Sequence, residues 1–207
     1  MKGLLLKDLF TLRKQGKVYL LLLAFYLFYT ILTKNVSMMS SMIAMLCAIA
    51  PITTLAYDEN CKWDRYALSM PISRKMIVLS KYVFGIVLIL ISMAIVAPLS
   101  MMVVTYTREM ELKAAMIIIL VVNGIAILFL SILLPLLFKF GVEKGRLLMF
   151  VIFFIPLAFV YIYKKINLGL PSKETFELLG YLSPVFLIII VLISMVISIR
   201  IYEKKEF

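Results

Sequence analysis

The sequence predicts an all-α, polytopic membrane protein, and three observations carry that prediction. Six uncharged apolar runs fill most of the 207 residues, at positions 18–33, 36–57, 82–107, 114–138, 147–163 and 181–199. Each is about 16 to 26 residues long, enough for an α-helix to cross a hydrocarbon core about 30 Å thick. The composition agrees: 64% hydrophobic residues, 16% charged residues and a mean hydropathy of +1.10 describe a chain whose main solvent is lipid. The stretches between the runs, the longest being 1–17, 58–81 and 164–180, are too short to bury cores of their own. Residues 1–207 therefore form one membrane domain.

The elements follow in order. Over residues 1–17, Leu5, Leu6, Leu9, Phe10 and Leu12 share one helical face, while Lys7, Asp8, Thr11, Lys14 and Gln15 share the other and Arg13 can snorkel. This pattern predicts an interfacial helix lying flat at the inner membrane surface, either as a lever or as a passive anchor. Charges run to Lys17 and no small-residue cleavage motif follows, so the first run is expected to stay as a span rather than leave as a signal. The second run carries Met38, Met42 and Met45 at i, i+4 and i+7 beside Ser41. Pliant Met side chains can repack around varied apolar ligands, which makes these residues a candidate substrate path, although the same stripe suits helix packing. Asn123 in the fourth run is the most polar side chain at depth and fits either a cross-helix bond or that path.

Runs two to six each hold one proline: Pro51, Pro98, Pro135, Pro156 and Pro184. Proline is common in membrane helices, yet each one frees a carbonyl that must find another partner in lipid, so these positions should face neighbouring helices. After the fifth run, Pro171, Ser172 as a cap, residues 173–179 and Gly180 predict a short outer helix.

The charge of +11 does not point to nucleic acid, because the 22 Lys and Arg are spread over seven hydrophilic segments rather than gathered on one face. With the N-terminus inside, sixteen of them fall on the inner side and six on the outer. The positive-inside rule then puts both termini in the cytoplasm. Cys47 falls within a span and Cys61 in a cytoplasmic loop, so no disulfide is expected. With no His and no paired Cys spacing, no metal site is expected either.

The most specific segment lies between the second and third runs. There Trp63, Tyr66, Ala67 and Met70 recur at i, i+3, i+4 and i+7 within a charged stretch, which is one apolar stripe on a short helix. Pro71 disfavours its continuation, and Ser73 can cap a new helix from Arg74 onward. An amphipathic helix bracketed by two spans reads as a docking element rather than a solvated connector.

The run from Lys62 to Lys81, KWDRYALSMPISRKMIVLSK, resembles the signature loop of small type-2 ATP-binding-cassette (ABC) exporter permeases of Gram-positive bacteria, including exporters of phenol-soluble modulins. The resemblance extends from MKGLLLKDLF through the six runs. It implies a permease of two six-span subunits, identical or paralogous, seated on two separate ABC ATPase subunits in the bacterial cell membrane. On this resemblance residues 58–81 hold a coupling helix in a groove of the ATPase, with Trp63, Asp64, Arg65, Tyr66, Met70, Pro71 and Arg74 in that role. The N-terminal helix, with Leu5, Leu9, Leu12 and Arg13, corresponds to the family's interfacial connecting helix, and the segment after run five to its external helices.

The chain carries no nucleotide site of its own. A phosphate-cradling loop needs G-x-x-x-x-G-K-[ST], and the only Gly-Lys pair, Gly16-Lys17, is followed by Val18 and has Thr11 where the first Gly belongs. ATP and Mg²⁺ are thus expected on the partner, and this chain is expected to be non-catalytic. The pair Gly141 and Gly145 spells G-x-x-x-G, but Glu143 and Lys144 between them make it a turn. A secondary transporter or channel would need charge at membrane depth or an inverted repeat. An intramembrane enzyme or immunity protein with hydrolytic chemistry would need His, carboxylate or metal ligands there. The runs supply none of these, which leaves an exporter permease for amphipathic peptides or lipophilic molecules as the leading expectation.

Overall fold

The computed structural model describes residues 1–33, 35–107, 111–145, 147–152, 154 and 173–205. Among them every regular element is an α-helix: α1 (Lys2–Thr33), α2 (Val36–Asn60), α3 (Trp63–Leu68), α4 (Arg74–Thr107), α5 (Leu112–Phe140) and α6 (Lys173–Glu203). Residues 142–145 and 147–152 are also helical. Four described helical stretches are long and apolar enough to cross a membrane: Ser37–Asn60, Arg74–Tyr106, Leu112–Gly145 and Leu182–Glu203. The first predicted run is helical as the second half of α1, and the fifth is helical up to residue 152. The rest of that run, apart from residue 154, lies outside the described residues, as do Pro156, Pro171 and Ser172.

Two expected boundaries are absent. Residues 2–33 form one helix, so the predicted interfacial segment 1–17 is the first half of α1 and not an element of its own. Likewise α6 runs through Gly180 from Lys173, so the predicted outer helix and the last run are continuous. A glycine inside a helix costs about 1 kcal/mol, less than leaving the backbone groups of a break unsatisfied in an apolar setting.

The bundle buries small polar side chains among its apolar core and turns a largely apolar surface outward, as suits a lipid solvent. Ser40, Thr54, Ser92, Ser100, Ser131 and Ser198 are buried, while Leu90, Ile95, Ile117, Leu120, Ile188 and Ile193 are exposed. The second helix sits centrally, packing on α1, α4 and α5, and α5 packs on α6. Small residues allow the close approach. Ala44 and Ala48 of α2 are buried in the main core, and a Cβ added to Gly85 of α4 would lie 2.6 Å from Leu130 Cδ2 and 3.0 Å from Pro51 Cγ.

Pro135 shows how a membrane proline is accommodated. It has no N–H for the carbonyl four residues earlier, that of Ser131, and the Ser194 hydroxyl of α6 donates to this carbonyl instead. Because Ser194 spends its proton there, the Tyr82 hydroxyl must donate to Ser194, at 2.6 Å, and Ser198 must donate to Tyr82, at 2.7 Å. One chain of hydroxyls thus stitches α4, α5 and α6.

Candidate functional site

Six helix ends converge at one end of the bundle. The second helix closes at Cys61, and Lys62 takes a left-handed conformation (φ 51°) that turns the chain into α3. On this short helix Ala67 is fully buried and Trp63 packs on the core that contains Phe138 and Tyr202. Arg65 is exposed and Tyr66 is 61% exposed. The predicted stripe therefore divides: Trp63 and Ala67 face inward and Tyr66 outward, because a six-residue helix lying on a bundle buries only the narrow face beneath it. Met70 is half-buried and Pro71 exposed. Ser73 caps α4 as expected, its hydroxyl accepting from the Met76 N–H at 3.3 Å.

Beneath α3 lies a cluster of opposite charges from three helices. Lys81 Nζ of α4 donates to Asp8 Oδ1 of α1 at 2.7 Å and to Thr54 Oγ1 at 3.1 Å, and pairs with Asp58 Oδ2 of α2 at 2.6 Å. Lys7 Nζ lies 2.6 Å and 2.7 Å from the two Asp58 oxygens, 3.3 Å from Asp8 Oδ1, and 4.7 Å from the centre of the Trp63 ring. Asp8 is fully buried and Lys81 is 2% exposed. Two ammonium groups and two carboxylates balance, so the cluster carries no net charge into its low-dielectric site.

This cluster corrects the expectation for the N-terminal helix. Of the polar face of Lys7, Asp8, Thr11, Lys14 and Gln15, only Lys14 is exposed; Asp8 is buried and Lys7, Thr11 and Gln15 are half-buried, with Gln15 Nε2 donating to the Tyr57 hydroxyl at 3.2 Å. Leu6, Leu9 and Phe10 are outward and more than half exposed, Arg13 is exposed, and Leu5 and Leu12 are half-buried. Polar groups on a helix bordered by lipid find their partners inside the protein, so the face pattern was legible but its direction was not.

The last helix is tied to the same end. The Tyr202 hydroxyl donates to Asp64 Oδ1 at 2.8 Å, and its ring meets Phe138 edge-on at 5.5 Å. Arg74 donates to the carbonyls of Tyr202, Glu203 and Lys205, holding the C-terminal turn of α6. The Glu59 carboxylate accepts from the Val142 N–H at 2.7 Å, just after Gly141 closes α5 with φ 79°. The turn expected over residues 141–145 is confined to Gly141, because residues 142–145 are already helical. A small cavity of about 20 Å³ remains between Asp58, Asp64, Lys81, Tyr202 and the neighbouring apolar side chains.

The predicted substrate-path residues do not form one surface. Met38 and Met42 line an apolar cleft of about 130 Å³ between α1 and α2, together with Phe25, Tyr26 and Tyr29. Met45 is not part of that lining, and Ser41 turns outward with its hydroxyl on the Met38 carbonyl. Asn123 is 5% exposed, donates to the Ile119 carbonyl and accepts from the Ser92 hydroxyl, so it joins α4 to α5 rather than facing the cleft. Sequence reasoning missed Asp58, Lys81 and Tyr202, and read Lys7 and Asp8 only as a polar face. One signal was present: Asp8 is the only acid in the first 57 residues, set among five basic residues.

Apolar helices laced by polar groups inside and capped by one densely cross-linked, charged end define a polytopic membrane protein. The model of a family described as ABC-2 family transporter protein matches residues 3–203, nearly the whole chain, and the chain belongs to that family. It is therefore an ABC-type membrane transport subunit, and membership implies an ABC ATPase as partner. No curated protein matches the chain.

Proposed function

We propose that this chain is the permease subunit of an ATP-driven exporter that carries amphipathic peptides or lipophilic molecules out of the cell. It works through six spans, with both termini in the cytoplasm and a second permease copy beside it. The observation that carries this reading is α3. Its outer side presents Arg65 and Tyr66, while its inner side is held by contacts to α1 through Trp63 and to α6 through Asp64. A partner that seats on the exposed pair can move the bundle without entering it. Arg and aromatic side chains commonly anchor such interfaces. ATP and Mg²⁺ belong to the ATPase, and this chain contributes displacement, not chemistry. Away from the self-neutralised charge cluster, the described interior holds hydroxyls and one buried amide, which favours apolar or amphipathic cargo over a strongly charged solute.

The test is co-expression of the tagged chain with a candidate ABC ATPase subunit. We expect a stable complex with ATPase activity that Tyr66→Ala and Arg65→Glu weaken, and a membrane-impermeant thiol reagent that leaves Cys61 unlabelled in intact cells. Transport in proteoliposomes should continue when the ion gradient is collapsed and ATP is supplied. Loss of transport under those conditions, with hydrolysis intact, would sink the exporter reading.

A further inference from the structure

We infer that Lys7, Asp8, Asp58 and Lys81 form a joint that makes α3 and the adjoining ends of α1, α2 and α4 one moving unit, with Lys7 as the positioning residue that connects α3 to it. The inference deepens the proposed role of α3 and rests on that reading for its functional consequence. Its structural content stands on the geometry alone.

Four features set this cluster apart from surface ion pairs. It is buried, with the Asp8 and Lys81 side chains at 1% and 3% exposure, so solvent and salt screen it little. It is cyclic, since Asp58 receives both lysines while Asp8 Oδ1 lies between them at 2.7 Å and 3.3 Å. Displacing any one helix end therefore strains the contacts of the others. It is neutral, so separating its members creates unpaired charge in a poorly polar place, which resists local opening. Finally, the Lys7 ammonium serves two masters, bonding Asp58 while lying 4.7 Å from the Trp63 ring centre, within cation–π range. The Trp63 indole N–H is buried and has no hydrogen-bond partner among the described residues, so that ring is held by packing and by the Lys7 charge rather than by a polar anchor.

The consequence is directional. On the Trp63 side α3 is tied to the charge cluster; on the Asp64 side it is tied to α6 through Tyr202. Through its hydroxyl on the Asp64 carboxylate Tyr202 links α3 to α6, whereas Lys7 leads into a cluster of three helices. A push on α3 therefore reaches α1, α2 and α4 as a block through Lys7.

The experiment uses the full chain in lipid nanodiscs, with a nitroxide on the native, exposed Cys61 in a Cys47→Ala background, reading the mobility of the segment that leads into α3. Lys7→Gln should raise the ratio of mobile to immobile nitroxide about tenfold, the equivalent of about 1.4 kcal/mol. Lys7→Arg, which keeps the charge over the ring and the bond to Asp58, should leave the ratio at the wild-type value. The exposed pair Lys75 and Glu203, 3.9 Å apart, gives the control: Lys75→Gln should change nothing. Unchanged mobility in Lys7→Gln overturns the joint, and equal loosening by Gln and Arg overturns its ionic character. Lys7 is partly exposed at the rim of the cluster, so its variants should fold; a thermal-melting scan of each confirms it. In complex with the ATPase, Lys7→Gln should keep association but lose about tenfold of permease-stimulated hydrolysis, with Lys7→Arg restoring it. If wild type forms no ATPase complex, the reading of α3 fails while the nitroxide result still decides the joint.

Discussion

The middle of the bundle and its charged end solve the same problem, joining helices whose outer faces meet lipid, with different chemistry. From the level of Tyr82 inward the cross-helix bonds come from hydroxyls and one amide: Tyr82 with Ser194 and Ser198, Ser194 with the Ser131 carbonyl, and Ser92 with Asn123. Such bonds between membrane helices average about 0.6 kcal/mol, because the separated helices find other polar partners. At the end the bonds are ionic and buried, and breaking one partner of a buried pair costs about 3–5 kcal/mol, since the other charge is left alone. The contrast places slack within the spans and stiffness at the end that carries α3. A bundle built this way can shift its helices against one another while the end moves as a piece.

Five substitutions can break or sharpen this contrast. Lys81→Ala should have the largest effect: it leaves Asp8 and Asp58 facing only Lys7, and thermal unfolding in detergent should show a loss of about 3–5 kcal/mol. A loss no larger than that of a mid-depth hydroxyl would erase the distinction between the two regions. On the opposite faces of α3, Trp63→Ala should lower the melting temperature through lost core packing. Tyr66→Ala should leave melting unchanged and weaken ATPase association by about 2 kcal/mol, read as affinity. If the two variants behave alike, α3 has no outer face of its own. Gly85→Ala pushes a methyl to within 2.6 Å of Leu130 Cδ2, and the overpacking should cost about 1–3 kcal/mol unless Leu130 changes rotamer. The smallest effect belongs to Tyr82→Phe, which breaks the hydroxyl chain in the span and should cost about 0.6 kcal/mol.

The parts of the fold visible in the sequence are those written as local patterns. The apolar runs located α2, α4, α5 and most of α6, the Ser73 cap and the Pro71 break set the start of α4, and the i, i+3, i+4 spacing found α3. The freed carbonyl of Pro135 finds its partner on a neighbouring helix, as the missing N–H requires. Continuity was harder to read. Gly16 and Lys17 resemble a boundary, as Gly180 does, but whether a helix ends at such residues depends on what packs alongside, and both helices run on.

The candidate site divides in the same way. The spacing placed Trp63, Arg65 and Tyr66 on one short helix; Arg65 and Tyr66 are exposed, whereas Trp63 is half-buried and packs on the core. Which side of α3 meets the bundle depends on the helices packed beneath it, which no pattern within residues 57–82 encodes. Met45 shares a run with Met38 and Met42 but does not line their cleft, and Asn123 of the fourth run bonds to Ser92 instead, since helical periodicity ranks the faces without saying what each one meets.

By itself the sequence determined the solvent of this protein, the type of its elements and the position of α3. These depend on hydrophobicity and short-range spacing, which a linear chain displays. Only the tertiary structure decided that the polar face of α1 turns inward and that Asp8, Asp58 and Lys81 meet, although 50 residues separate the first two and 23 the last two. Ion pairs between distant residues leave no periodic trace. Their partners are chosen by which helix ends converge, and by the need to neutralise charge once lipid and protein have displaced the water around it.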